Sequence, residues 1–111
     1  MSDRNPIWRL TPQAQNSLIG IALWTLDRFG PAQAEIYENE LLARCAEIAR
    51  GRAHIRDCSA LAGLPANRLY FARAGEHFAV FARRGNEVVF VDFLHAQSNL
   101  PTRLEALTLL D

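Results

Sequence analysis

Asn67-Arg68-Leu69-Tyr70-Phe71-Ala72-Arg73-Ala74-Gly75-Glu76-His77-Phe78-Ala79-Val80-Phe81-Ala82-Arg83-Arg84-Gly85-Asn86-Glu87-Val88-Val89-Phe90-Val91-Asp92-Phe93-Leu94-His95 is the stretch whose reading decides the fold. It divides into three β-rich runs, Leu69 to Arg73, His77 to Arg83 and Glu87 to Leu94. Ala74-Gly75-Glu76 and Arg84-Gly85-Asn86 are short turns in which glycine supplies positive φ. Tyr70, Phe71, Phe78, Val80 and Phe81 are strand formers, and Val88 to Val91 is an apolar run suited to burial on both faces. Short turns between β-rich runs indicate an antiparallel meander.

The chain before the meander is mostly helical. Ile7 to Leu10 suits a short strand. Thr11-Pro12 then opens a helix, with a hydroxyl at the N-cap and proline at the first helical position. That helix runs to Phe29, with Leu18, Ile21, Ala22, Thr25 and Phe29 on an inward stripe and Ile19, Leu23 and Leu26 on a second one. A helix apolar on two sides is packed on two sides, here against the sheet and against another helix or a partner. Gly30-Pro31 ends it and starts a helix from Pro31 to Arg50, whose inward stripe is Ala34, Tyr37, Leu41, Cys45 and Ile48. So short a connection makes the two an antiparallel hairpin. Residues 52–66 are irregular, and a last helix spans Pro101 to Leu110. The expected class is α+β, in the order β-α-α-β-β-β-α: a helical hairpin packed on a small, mainly antiparallel sheet, with a short C-terminal helix.

The 111 residues suit one domain with one core, 1–111. Lys+Arg and Asp+Glu are both 12, so no net field draws the chain to nucleic acid or a membrane. Every basic residue is arginine, which removes lysine as base, Schiff-base former or phosphate ligand. The charge is nonetheless uneven: Arg50, Arg52, Arg56, Arg68, Arg73, Arg83 and Arg84 face only Asp57 and Glu76 over the same span. The longest apolar stretch, Leu18 to Trp24, is far short of the roughly 20 residues a membrane span needs. Cys45 and Cys58 make no disulfide framework and have no metal-ligand spacing, so a cytoplasmic protein with reduced thiols and neither metal nor cofactor is expected.

The ordered set of features resembles the ParE toxins of the RelE/ParE superfamily, from bacterial type II toxin–antitoxin pairs. Trp8-Arg9-Leu10-Thr11-Pro12-Gln13-Ala14 is similar to that family's strand and helix opening, and Phe29-Gly30-Pro31-Ala32-Gln33-Ala34 to its hairpin turn. His77-Phe78-Ala79-Val80-Phe81 looks like its second meander strand. Phe93-Leu94-His95 with Leu100-Pro101-Thr102-Arg103-Leu104 looks like its closing turn and terminal helix. Ala82 stands where a Tyr is frequent, and Ser98 or Asn99 where an acid is usual.

The resemblance implies a toxin that inhibits DNA gyrase by stoichiometric binding rather than turnover. It is held by a ParD-like antitoxin, and meets operator DNA only through that antitoxin. Arg52, Arg56, Arg73, Arg83 and Arg84 are natural docks for an acidic tail, and Ile19, Leu23 and Leu26 for an apolar segment; Arg103, Leu104 and Leu107 are the expected target-binding residues. The alternative is a RelE-like ribosome-dependent mRNA interferase using His95 with Arg73 or Arg83 around a scissile phosphate. A simpler reading of His95 is a strand end bonded to the backbone. His77 reads as a packed or edge residue, His54 as solvated, and the last helix alternatively as a cover for the sheet edge.

Overall fold

The computed structural model describes residues 7–61, 63 and 65–108. In chain order they form β1 (Ile7–Leu10), α1 (Pro12–Phe29), α2 (Pro31–Ala49), β2 (Arg56–Asp57), a 3-10 turn (Cys58–Ala60), β3 (Tyr70–Ala74), β4 (His77–Arg84), β5 (Glu87–His95) and α3 (Leu100–Thr108). The sheet order is β1-β5-β4-β3-β2, with β1 parallel to β5 and every other pair antiparallel. The expected α+β arrangement is therefore present. The two-residue β2 is an addition, formed inside the segment whose sequence has no strand pattern.

Local chemistry accounts for the helix ends. The Thr11 hydroxyl accepts from the Ala14 N–H at 3.1 Å, and Pro12 begins α1. Gly30, at φ 91°, turns the chain between the helices while its N–H bonds the Leu26 carbonyl at 3.0 Å. Gly75 has two reasons to be glycine: φ is 61°, and a Cβ there would sit 2.7 Å from the Tyr37 ring.

The sheet is buried on both faces. Against the helical hairpin lie Phe81, Phe90 and Ala79, packed with Leu18, Leu41, Cys45 and Ile48. On the other face Phe71, Val80 and Leu94 pack with Cys58 and Leu104. Each large apolar side chain so buried contributes roughly 1.5–3 kcal/mol. Two expectations need correcting. Phe29, assigned to the inward stripe of α1, is 63% exposed: it is the last residue of the helix, where it packs on Trp24 and lines an open cleft instead of the core. Leu104, assigned to a target-binding surface, is 1% exposed: α3 lies over the second face of the sheet and Leu104 is part of that core. The side chain of Leu107 lies outside the described residues.

One irregularity sets the geometry at the end of the sheet. From the β4–β5 turn the pairs run Arg84↔Glu87 to Phe81↔Phe90, and then Val80 pairs with Asp92. Val91 is an extra residue, a β-bulge, and the residues from Phe93 on change face. The bulge is met by the start of α1. The Thr11 N–H bonds the Phe90 carbonyl at 3.0 Å and its hydroxyl donates to the Val91 carbonyl at 3.3 Å. Asp92, 3% exposed, accepts from the Ser17 hydroxyl, from Gln13 Nε2 at 3.2 Å and from the Phe93 N–H at 2.8 Å.

Replacing Asp92 with alanine leaves three donors without their acceptor, and is expected to cost about 3 kcal/mol in urea unfolding, with Ser17→Ala costing about 1 kcal/mol. An Asp92→Ala loss below about 1 kcal/mol would show that the carboxylate does not hold the bulge.

Candidate functional site

Past the bulge, the hairpin-facing residues of β5 are Phe93 and His95. A regular ladder from the Arg84↔Glu87 turn would set Leu94 opposite His77; the extra residue sets His95 there instead. The two imidazoles lie 5.2 Å apart, centroid to centroid, with rings near perpendicular at 80°. They stand at one end of a cleft of about 820 Å³ between α1, the start of α2 and the ends of β4 and β5. Ile21, Trp24, Phe29 and Phe93 form apolar walls, and Ser17, Thr25, Gln33, Tyr37, Glu76, His77 and His95 supply the polar groups. A mainly apolar cavity with a few convergent polar groups is the usual form of a binding site.

Tyr37 is beside the two histidines. Its oxygen accepts from the Glu76 N–H at 2.8 Å and lies 2.7 Å from Nδ1 of His77. With the phenol as donor to that Nδ1, the His77 proton is on Nε2. The close approach of the Tyr37 ring to Gly75 is what makes this bond possible. At His95, Nδ1 accepts from the Gln97 N–H at 3.1 Å, so the neutral ring again carries its proton on Nε2. The backbone N–H fixes Nε2–H as the donor of His95, and the phenol as donor gives His77 the same form.

Burial first, and then the neighbouring His95, hold His77 below the ordinary imidazole pKa of 6.5. The unfolded chain therefore binds this proton more readily than the folded one. The stability this group contributes is full above pH 6.5 and declines as pH falls through the folded value. Burial raises the pKa of Tyr37, so the phenol keeps its proton at neutral pH.

The other expected site residues do not gather here. Arg73 is at the same end of the sheet, but its guanidinium lies over Phe78 at 5.4 Å, donates to the Gly75 carbonyl at 2.6 Å and pairs with Glu76 at 3.8 Å. Arg83 is at the opposite end of β4, paired with Val88 and stacked over Tyr70 at 4.9 Å. Arg83 is thus remote from His95, whereas the charge of Arg73 reaches His77 and Tyr37. Arg56 lies over Phe71 at 5.3 Å on the α3 side of the sheet, while Arg83 is on the hairpin side. Arg52 and Arg84 are exposed, the first just past α2 and the second at the β4–β5 turn, so these five arginines form no common patch. His54 is exposed, as expected. His95 does make the backbone contacts of the simpler reading, with Ser98 Oγ also donating to its carbonyl at 2.6 Å. Burial pushes both Cys45 and Cys58 up to about 12, leaving them neutral core thiols. Among the described residues, no group of three His, Cys, Asp or Glu side chains is placed to hold a metal.

Sequence reasoning passed over Tyr37 and His77 as members of this site. Tyr37 was legible only as an inward-facing helix residue, and the His77–His95 meeting depends on a bulge that an uninterrupted apolar run conceals.

The family model described as ParE toxin of the type II toxin–antitoxin system parDE matches residues 8–100. The chain belongs to the ParE toxin family. It is 37% identical over 97 residues to Toxin ParE of Escherichia coli, covering 86% of this chain and 89% of that protein. Its fold matches a chain of the chromosomal ParDE system of P. aeruginosa with a TM-score of 0.66 at 15% identity, covering 84% of this chain and 98% of the other. The YoeB dimer of Staphylococcus aureus gives a TM-score of 0.51 at 13% identity, over 83% and 98% of the two chains. No described helix is long and apolar enough to cross a membrane.

Two-dimensional ¹H–¹⁵N spectra of the imidazoles at pH 8 are expected to show His77 and His95 both as the Nε2–H tautomer. In Tyr37→Phe the His77 pattern is expected to shift towards a mixture while His95 stays unchanged. A dominant Nδ1–H form at either ring in the unsubstituted protein would contradict the hydrogen-bond assignment.

Proposed function

We propose that this ParE-family toxin inhibits DNA gyrase by stoichiometric binding and is neutralised by a ParD-like antitoxin. The family match over residues 8–100 carries the reading. The scatter of the arginines supports binding over turnover. RNA cleavage by 2′-hydroxyl attack needs base, acid and cations around one phosphate; Arg83 is a strand-length from His95, and Arg73, the nearer one, is already held by the Gly75 carbonyl and Glu76.

The antitoxin's dock is the outer face of the helical hairpin. Ile19, Leu23 and Leu26 are 58%, 60% and 44% exposed, and Trp24 and Phe29 continue the apolar surface to the cleft. So much exposed apolar surface on one helix suits a protein partner. Exposed Arg52, Arg56, Arg73, Arg83 and Arg84 offer further contacts to an acidic chain around the sheet. Operator DNA is met only through the antitoxin, and the complex acts in the cytoplasm. For the gyrase contact, Arg103 is the exposed expected residue on α3, while Leu104 serves by holding that helix on the sheet.

Purified toxin, plasmid, ATP and gyrase form the test, with translating ribosomes and mRNA in parallel. Gyrase-dependent loss of supercoiling or accumulation of cleaved DNA, with intact mRNA, is expected. Arg103→Glu is expected to weaken the effect without changing the melting temperature by more than about 2 °C. mRNA cuts with unaffected gyrase would overturn the proposal.

A further inference from the structure

The hairpin-side cleft has a donor pattern that its role as an apolar dock does not use. Nδ1 of His77 is taken by Tyr37 and Nδ1 of His95 by the Gln97 N–H, so each ring has Nε2 left for a ligand, as an N–H at His95 and, with the phenol donating, as an N–H at His77 too. Two N–H donors beside apolar walls call for an acceptor carried on an apolar body. The acceptor that gains most from two such donors is a carboxylate, since charge-assisted hydrogen bonds are about twice as strong as neutral ones. Arg28, stacked over Trp24 at 4.9 Å, adds positive charge beside that wall. The acids nearby do not oppose this strongly: Glu76 is paired with Arg73 at 3.8 Å, and buried Asp92 is occupied by Ser17, Gln13 and Phe93.

The same bonds disfavour a metal. A cation on Nε2 needs the proton on Nδ1, and at His95 the Gln97 N–H already points at that atom. A free small acid would leave Trp24, Phe29 and the adjoining Leu23 exposed at 53%, 63% and 60%. A protein segment would cover them.

We infer that the partner segment seated on the hairpin places one acidic side chain, flanked by apolar ones, in this cleft, with its carboxylate accepting from Nε2–H of His77 and His95. This rests on the antitoxin reading above and names the chemistry of that contact. His95 is exposed, so replacing it does not empty the core.

Binding of the antitoxin encoded with this toxin tests the inference by calorimetry, using wild type, His95→Asn and His95→Gln. Asparagine keeps an acceptor near the Nδ1 position for the Gln97 N–H and loses the distal donor; glutamine keeps a distal donor. His95→Asn is expected to weaken binding about tenfold or more, and His95→Gln about threefold or less. One Glu→Gln or Asp→Asn substitution in the antitoxin is expected to weaken wild type by the same factor and to have little further effect on His95→Asn. Equal affinity of His95→Asn and wild type, or no antitoxin acid coupled to His95, would overturn the inference while leaving the antitoxin reading intact. Wild type that does not bind the antitoxin would overturn both.

Discussion

Val91 is the extra residue of β5, and the main-chain and side-chain groups around it are bonded by the first turns of α1. Thr11 reaches the carbonyls of Phe90 and Val91, while Gln13 and Ser17 reach the carboxylate of Asp92. A buried carboxylate is tolerated only when it is hydrogen-bonded, and here three donors bond it. The bulge therefore joins α1 to the sheet with polar contacts, as Tyr37 and Arg44 join α2 to it, while the core between them is apolar. It also reverses the facing of the rest of β5, so that Phe93 and His95 meet the cleft while Leu94 meets Leu104.

The opposite face of the sheet explains why α3 has a structural role first. Leu104 closes over Phe71, Val80 and Leu94, a second core that a sheet with one face bare would lack. The outer side of α1 is built differently. Its Ile19, Leu23 and Leu26 meet nothing among the described residues that would bury them, although their spacing is as regular as that of the inward stripe. A helix in a small toxin can carry that exposure when a partner covers it for most of its lifetime.

Much of this fold was legible in the sequence because local signals coincide with the tertiary arrangement. Thr11-Pro12 and Gly30-Pro31 bound the helices, Gly75 and Gly85 place the turns, and the meander strands were located to within a residue or two. What periodicity could not supply was pairing. The parallel β1–β5 contact is non-local, and β2 is two residues long and exists only because β3 is beside it. Phe29 continued the spacing of α1 yet lies at the helix end on an open cleft, outside the core. The candidate site was less legible still: His95 was visible, but its neighbours are Tyr37 from α2 and His77 from β4, joined by a bulge with no mark in the run Val88 to Val91. The arginines proposed beside His95 were close in sequence to a histidine strand, and strand geometry spread them over both faces and both ends of the sheet.

The facing of β5 beyond Val91 is the point on which the cleft and its donors depend, and a nuclear Overhauser spectrum of the unsubstituted protein reads it directly. Ring protons of His77 are expected to show cross-peaks to those of His95, and Leu94 methyls to Leu104. Cross-peaks from His77 to the Leu94 methyls, with His95 instead close to Leu104, would mean a regular ladder and would contradict the site described here.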